Sequence, residues 1–298
     1  MSDTKQVHLP TKKIRKRIGV IGCGVRADCY LDPLLPKRGG EWTLSAVADP
    51  APDRRAVYQS RYGGGKAREF EDGPTLLREM VGQLDVVIIA SPNAMHLESA
   101  ILAFRQKLVV LLEKPVATSP EDCQILWREW YQQGRPPVVV GFVLRYTAFY
   151  RAVKNILEQG EIGDILSIQA SEWLNAPMTA GYTRGWRRQS RLCGSFFLEK
   201  CCHDMDILTW LAGCSPHRLC SFAARTRFVP LPQATKHCGT CPLADACRYH
   251  VSKIDAFHER NLRISGKHYR RTLMPFGNDL CVFHSDMDVY DHQVVNLD

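Results

Sequence analysis

Arg17-Ile18-Gly19-Val20-Ile21-Gly22-Cys23-Gly24-Val25-Arg26-Ala27 is the stretch on which the fold turns. A short apolar run stops at a G-x-G-x-x-A turn, and a helical pattern follows. Glycine at 22 permits the tight turn, and glycine at 24 lets a backbone approach a pyrophosphate seated on the helix N-terminus. The small side chain of Ala27 allows close helix–strand packing. Val25 and Arg26 fall at the start of that helix, where Arg26 can reach a phosphate. A second apolar run, Trp42 to Ala48, ends at Asp49, 25 residues beyond Gly24. A carboxylate there hydrogen-bonds adenosine ribose hydroxyls and repels a 2′-phosphate, so the pattern favours NAD. Arg54 and Arg55 just beyond it keep NADP open.

Outward from this motif, strands and helices alternate. Leu108–Leu112 and Val138–Phe142 are apolar throughout, and Leu84–Ala90 is apolar apart from Asp85. Helical patterns separate them at His96–Gln106 and from Ser119, with Ser119 at the N-cap and Pro120 at the first helical position. Strands apolar on both faces with helices between them predict a doubly wound parallel sheet, a Rossmann domain over 17–144. Residues 1–16 are expected to be a flexible lead-in. After Arg145 the pattern loosens. Phe149–Gln159 and Phe197–Leu211 read as helices. ILSIQASEWL at 165–174, Arg218–Val229 and Asp288–Leu297 read as strands. An α+β domain with an open-faced sheet is expected over 145–298.

Composition excludes several classes. The 298 residues are 45% hydrophobic and 23% charged, which is ordinary for a globular chain. The net charge of +8 is spread thinly and gathers only at Lys12–Arg17, so no nucleic-acid partner is expected. No apolar run approaches the ~20 residues of a membrane helix, and the N-terminus lacks the apolar core of a secretory signal. Twelve cysteines without paired spacing predict reduced thiols and a cytoplasmic location.

Two further constellations carry chemistry. Glu113-Lys114-Pro115 closes a strand, and ligands of open parallel sheets bind beyond such strand ends. Lys114 there can hydrogen-bond a substrate hydroxyl. Ser91, Asn93 and His96 close the preceding strand beside the same cleft. In GSFFLEKCCHDMD at 194–206, Glu199, His203 and Asp206 share a face of a regular helix, at spacings of four and three. Two flanking carboxylates would orient the imidazole and favour its charged form. A general base that takes a hydroxyl proton as hydride leaves the same carbon needs such an imidazole. An exposed ion-pair stripe is the plain alternative. Separately, Cys238, Cys241, Cys247 and His250 form a C-x2-C-x5-C-x2-H pattern open to zinc or to a simple thiol cluster; no metal is assigned.

As a set, GVIGCGVRA at 19–27, VADP at 47–50, ASPNAMH at 90–96, EKPVA at 113–117, GFVLRY at 141–146, GEIGDI at 160–165, CGSFFLEKCCHDMDIL at 193–208 and DHQVVNLD at 291–298 resemble the Gfo/Idh/MocA oxidoreductase family. The resemblance implies an NAD- or NADP-dependent dehydrogenase of sugars, cyclitols or polyols, with Lys114 and His203 flanking the substrate hydroxyl. It implies Tyr182, Trp186 and Arg187 in a cleft-lining loop, and a homo-oligomer, dimer or tetramer, packed through the open sheet. Glu199 stands where many members have aspartate, so the geometry of its pair with His203 is expected to differ. Family chains usually continue beyond a strand like 291–298, so the second sheet is expected to be incomplete. Rival readings are a non-catalytic dinucleotide or sugar binder, an inactive shortened copy, and an NAD-dependent glycosidase.

Overall fold

A computed structural model describes residues 15–35, 40–254 and 279–298. The expected lead-in lies outside these residues except for its last two. In chain order the elements are β1 (Lys16–Ile21), α1 (Val25–Leu34), β2 (Trp42–Ala48), α2 (Pro52–Tyr58), β3 (Arg68–Phe70), α3 (Gly73–Glu79), β4 (Val86–Ile89), α4 (His96–Arg105), β5 (Val109–Leu112), α5 (Pro120–Gln132), β6 (Val138–Val140), α6 (Ala148–Glu158), α7 (Ala176–Arg184), α8 (Ser190–Cys193), α9 (Cys202–Ala212), β7 (Leu219–Ala224) and β8 (His292–Leu297).

The first six strands form one parallel sheet in the order β3-β2-β1-β4-β5-β6. That is the doubly wound order, whose direction reverses between β1 and β4 and opens a crevice there. The alternation within β1 shows why both faces are covered. Ile18 and Val20 pack with Ala27 and Leu31 of α1 and Tyr58 of α2. Ile21 faces the other way, with Leu76 and Leu77 of α3 and Ala100, Ala103 and Phe104 of α4. Ser119 caps α5 as its sequence position predicts, its hydroxyl accepting from the Asp122 N–H at 3.1 Å.

The second half differs from its sequence reading in two places. Residues 165–174 take up no strand, and Leu166 and Trp173 stand 95% and 90% exposed. Their alternation has the period of a strand, but among the described residues no strand pairs with them. The helix expected at 197–211 begins as a π-helical turn over Phe197–Cys201 and becomes regular only from Cys202. A π turn closes its hydrogen bonds over one more residue than an α turn.

Candidate active site

The crevice is lined by the carboxyl ends of β1, β4 and β5. Gly22 has φ +90°, and a Cβ there would lie 2.6 Å from the backbone of Ala90 and Ser91. Only glycine fits, because the β1 turn runs hard against the end of β4. Gly24 is the opposite case: a Cβ would meet nothing within 4 Å. It is the N-cap of α1, and no described side chain caps that helix. This is a cradle for an anionic group.

Asp49 is 5% exposed. Its two carboxylate oxygens accept from the N–H groups of Cys23 and Ala51, each at 2.9 Å. Each oxygen keeps a further lone pair for a ribose hydroxyl. Arg54 lies 3.7 Å from the carboxylate, and Arg55 donates to the Asp49 carbonyl and to Glu69. The glycine turn, the helix N-terminus and this acid together fit a dinucleotide.

Several residues expected at the cofactor, Arg26, Glu113 and His96 here and Asn93 and Lys114 below, have protein partners. Arg26 donates from Nε to Glu113 at 2.6 Å and from Nη2 to the Tyr30 hydroxyl at 3.1 Å, instead of standing free for a phosphate. Glu113, 5% exposed, also accepts from Tyr30. His96 is fully buried, with Nδ1 2.8 Å from the Pro115 carbonyl and Nε2 3.0 Å from that of Ser91. Burial holds this ring below histidine's ordinary pKa. It ties the ends of β4 and β5 together and has no nitrogen left for a ligand. The Ser91 hydroxyl is buried without a partner among the described residues.

The largest departure concerns Glu199. The sequence pairs it with His203; the structure gives it to Lys114, Arg187 and Asn93. Lys114 Nζ donates to the Glu199 carbonyl at 2.6 Å and to Oε1 at 3.2 Å. Arg187 Nε donates to Oε1 at 2.5 Å, and Asn93 Nδ2 to Oε2 at 2.7 Å. Glu199 is 1% exposed. Burial alone would raise its pKa, but the charges of Arg187 and Lys114 outweigh that and hold it below the ordinary carboxylate value. Arg187 is itself framed by aromatic rings, 4.4 Å from the centroid of Trp186 and 5.4 Å from that of Tyr182. Asp206, the other expected neighbour of His203, accepts both arms of Arg145, at 2.8 and 2.6 Å.

Among the described residues His203 therefore has no carboxylate partner. Its Nδ1 is buried and unpartnered, and the Phe142 ring stands edge-on at 6.2 Å. Burial first, then the charges of Lys114 and Lys200, push its pKa down to about 4. The expectation of a favoured imidazolium is reversed: the ring is neutral at pH 7. Competing partners are the physical reason: Lys114, Arg187 and Asn93 claim the Glu199 carboxylate, and Arg145 claims that of Asp206.

Tyr30, Arg145 and the Asn93–Glu199 link are the site residues that sequence spacing missed. Tyr30 lies one helical turn after Arg26, and Asn93 and Arg145 sit inside quoted motifs, but nothing in those motifs names their partners.

Comparison with known proteins agrees with this architecture. Residues 16–142 match the family model described as the oxidoreductase family, NAD-binding Rossmann fold, and residues 150–244 match the GFO/IDH/MocA C-terminal domain. The chain is 24% identical over 294 residues to the protein YteT of Bacillus subtilis, covering 92% of this chain and 67% of that one. It is 32% identical over 196 residues to inositol 2-dehydrogenase 2 of Saccharopolyspora erythraea, covering 66% and 53%. The structure of scyllo-inositol dehydrogenase from Lactobacillus casei with bound cofactor NAD(H) and scyllo-inositol superposes with a TM-score of 0.60 at 22% identity, over 78% of this chain and 63% of that one. The chain thus spans about half to two thirds of the length of these relatives. It belongs to the Gfo/Idh/MocA oxidoreductase family, and its leading sheet is that family's NAD-binding Rossmann fold.

Proposed function

We propose that the protein is an NAD-dependent dehydrogenase acting on a secondary alcohol of a sugar, cyclitol or polyol. One observation carries this reading: a neutral, half-buried imidazole, His203, with an unpartnered nitrogen, lies within the field of the Lys114 ammonium. Lys114 belongs to the same set of strand ends as the open glycine cradle. Residues up to about 144 supply the cofactor crevice, and those beyond supply the imidazole. The names of the inositol dehydrogenase relatives support the substrate class. Asp49 supports NAD over NADP, because a 2′-phosphate would meet its carboxylate.

Bound NAD would supply the hydride acceptor for the carbinol carbon. His203 takes the hydroxyl proton. Lys114, held by the Glu199 carbonyl and carboxylate, keeps an N–H to donate to the hydroxyl oxygen and steadies the alkoxide as it forms. Glu199 does not touch the imidazole; it fixes Lys114 and Arg187. Tyr182, Trp186 and Arg187 form the wall against which the substrate ring rests. The exposed apolar face of the second sheet supports a homo-oligomer, and twelve free thiols support a reducing, cytoplasmic setting.

The test is turnover on a polyol panel with His203→Ala. A loss of about 100-fold or more in kcat, with NAD uptake unchanged by calorimetry, is expected. In the unsubstituted enzyme, kcat/KM holds as pH falls from 7 toward 5 and drops only near the His203 pKa of about 4, where the ring becomes protonated and can accept nothing more. Undiminished turnover in His203→Ala removes the base. A folded chain that takes up neither NAD nor NADP removes the enzyme.

A further inference from the structure

Asn93 follows β4, in a 3-10 turn over Asn93–Met95 that leads into α4. It is 3% exposed. Its Nδ2 donates to the Cys193 carbonyl at 3.0 Å and to Glu199 Oε2 at 2.7 Å. A carbonyl and an ionised carboxylate are acceptors only, so the amide has to turn its NH2 end to them, and both N–H groups are spent there. A strand end that lines the cofactor crevice thus reaches into the second half, to the last residue of α8 and to the π turn.

The consequence lies in what this amide leaves free on its partner. Glu199 is 1% exposed, and each of its carboxylate oxygens is engaged. Asn93 holds Oε2, while Lys114 Nζ at 3.2 Å and Arg187 Nε at 2.5 Å converge on Oε1. A guanidinium and a carboxylate commonly pair through two parallel bonds. With Oε2 taken, the carboxylate cannot turn to give both oxygens to Arg187, and Oε1 stays shared between the two cations. Lys114 spends a second N–H on the Glu199 carbonyl at 2.6 Å. An ammonium carries three N–H groups at tetrahedral angles, so two fixed bonds set the direction of the third.

We propose that Asn93 is a positioning residue rather than a cofactor ligand: its bond to Glu199 Oε2 holds that carboxylate in the rotation that aims the third N–H of Lys114 at the reacting hydroxyl. The inference rests on the role of Lys114 in the dehydrogenase proposed above. The hold of Asn93 on Lys114 is also readable without turnover.

Asn93→Asp keeps the outline of the side chain and sets two carboxylates against each other. Such a pair shares one proton, with a raised pKa. Below that pKa the proton bridges the pair and restores the bond to Glu199; above it the bond is lost. At saturating NAD, the ratio of variant to parent kcat is expected to climb by about 10-fold or more as pH falls from about 9 to about 6. Asn93→Ser is too short to span both acceptors. Its kcat is expected to fall by about 10- to 100-fold, with NAD uptake by calorimetry within about twofold of the parent. Reductive methylation with peptide mapping reads the ammonium itself: Lys114 labels faster in Asn93→Ser than in the parent, while the exposed Lys66 labels equally in both. Far-UV circular dichroism establishes folding, and if Asn93→Ser does not fold, Asn93→Asp at alkaline pH carries the labelling test.

A ratio that does not change with pH in folded Asn93→Asp overturns the proposal and leaves Asn93 a packing residue. Weakened NAD uptake with kcat restored at saturation also overturns it, by making Asn93 a cofactor ligand. So does Lys114 labelling that ignores the substitution. A parent chain that oxidises no polyol, with the labelling response intact, removes the dehydrogenase reading and supports the hold of Asn93 on Lys114.

Discussion

The two sheets of this protein solve opposite problems. In the first, six parallel strands are covered on both faces, and Ile18, Val20, Leu31, Leu44, Leu76 and Ile89 are 0–2% exposed. In the second, two antiparallel strands leave one face bare, with Phe222 71% and its cross-strand partner Val294 62% exposed. The first half brings its own dry core. The second is organised by what it leans on: a buried charge cluster where it meets the first sheet, and a small aromatic and thiol-lined core around Phe228, Tyr249 and Val282. Regular structure is therefore dense where burial is two-sided and sparse where it is not.

The sharpest way to break this contrast is at the seam. Glu199 joins the halves through Lys114 and Asn93 and also compensates Arg187. Glu199→Gln keeps the shape and removes the charge, leaving Lys114, only 10% exposed, beside Arg187 with no anion between them. Removing one member of a buried ion pair costs about 3–5 kcal/mol. Denaturant unfolding is expected to show a loss of that size, together with reduced turnover as Lys114 moves. A loss below 1 kcal/mol would mean that the halves do not depend on this cluster.

The covered sheet makes the next largest prediction. Leu31 is fully buried between α1 and the β1–β2 face. Leu31→Ala deletes its methyl groups and leaves a cavity, at a cost of about 2–5 kcal/mol. The fall in denaturant midpoint measures it. A change near zero would mean that this core collapses around the gap and is less tightly packed than its burial implies.

The same contrast explains what was legible before any coordinates. Apolar runs bounded by Gly22–Gly24, Asp49 and Glu113–Lys114 mark strands whose two buried faces constrain almost every residue, so the first sheet and the ends that line its crevice follow from local pattern. Only the three-residue β3 escaped, too short to show a period. ILSIQASEWL has strand periodicity and no strand, because pairing is decided by a partner edge that no local pattern encodes. Glu199 illustrates the limit for the site. Helical spacing places it beside His203, but two cations from other segments, Lys114 and Arg187, claim it instead. Cys281 joins Cys238, Cys241 and Cys247 around one small cavity for the same reason: the bridge between His237 and Leu280 is a tertiary fact.

The smallest expected effect falls on the bare sheet face. Phe222 and Val294 face each other across β7 and β8 and touch solvent on one side. Phe222→Ser removes apolar surface that the folded monomer has not buried. In dilute solution its stability should therefore move by no more than about 0.5 kcal/mol. If a second copy of the chain covers this face, as the proposed homo-oligomer requires, the same substitution shifts the sedimentation profile toward the monomer as concentration rises, because the lost ring belonged to the interface. A monomer destabilised by more than 2 kcal/mol would place Phe222 in a core and dissolve the contrast between the sheets. An unchanged profile, with the parent chain monomeric at all concentrations, would leave the face exposed and remove its role in assembly.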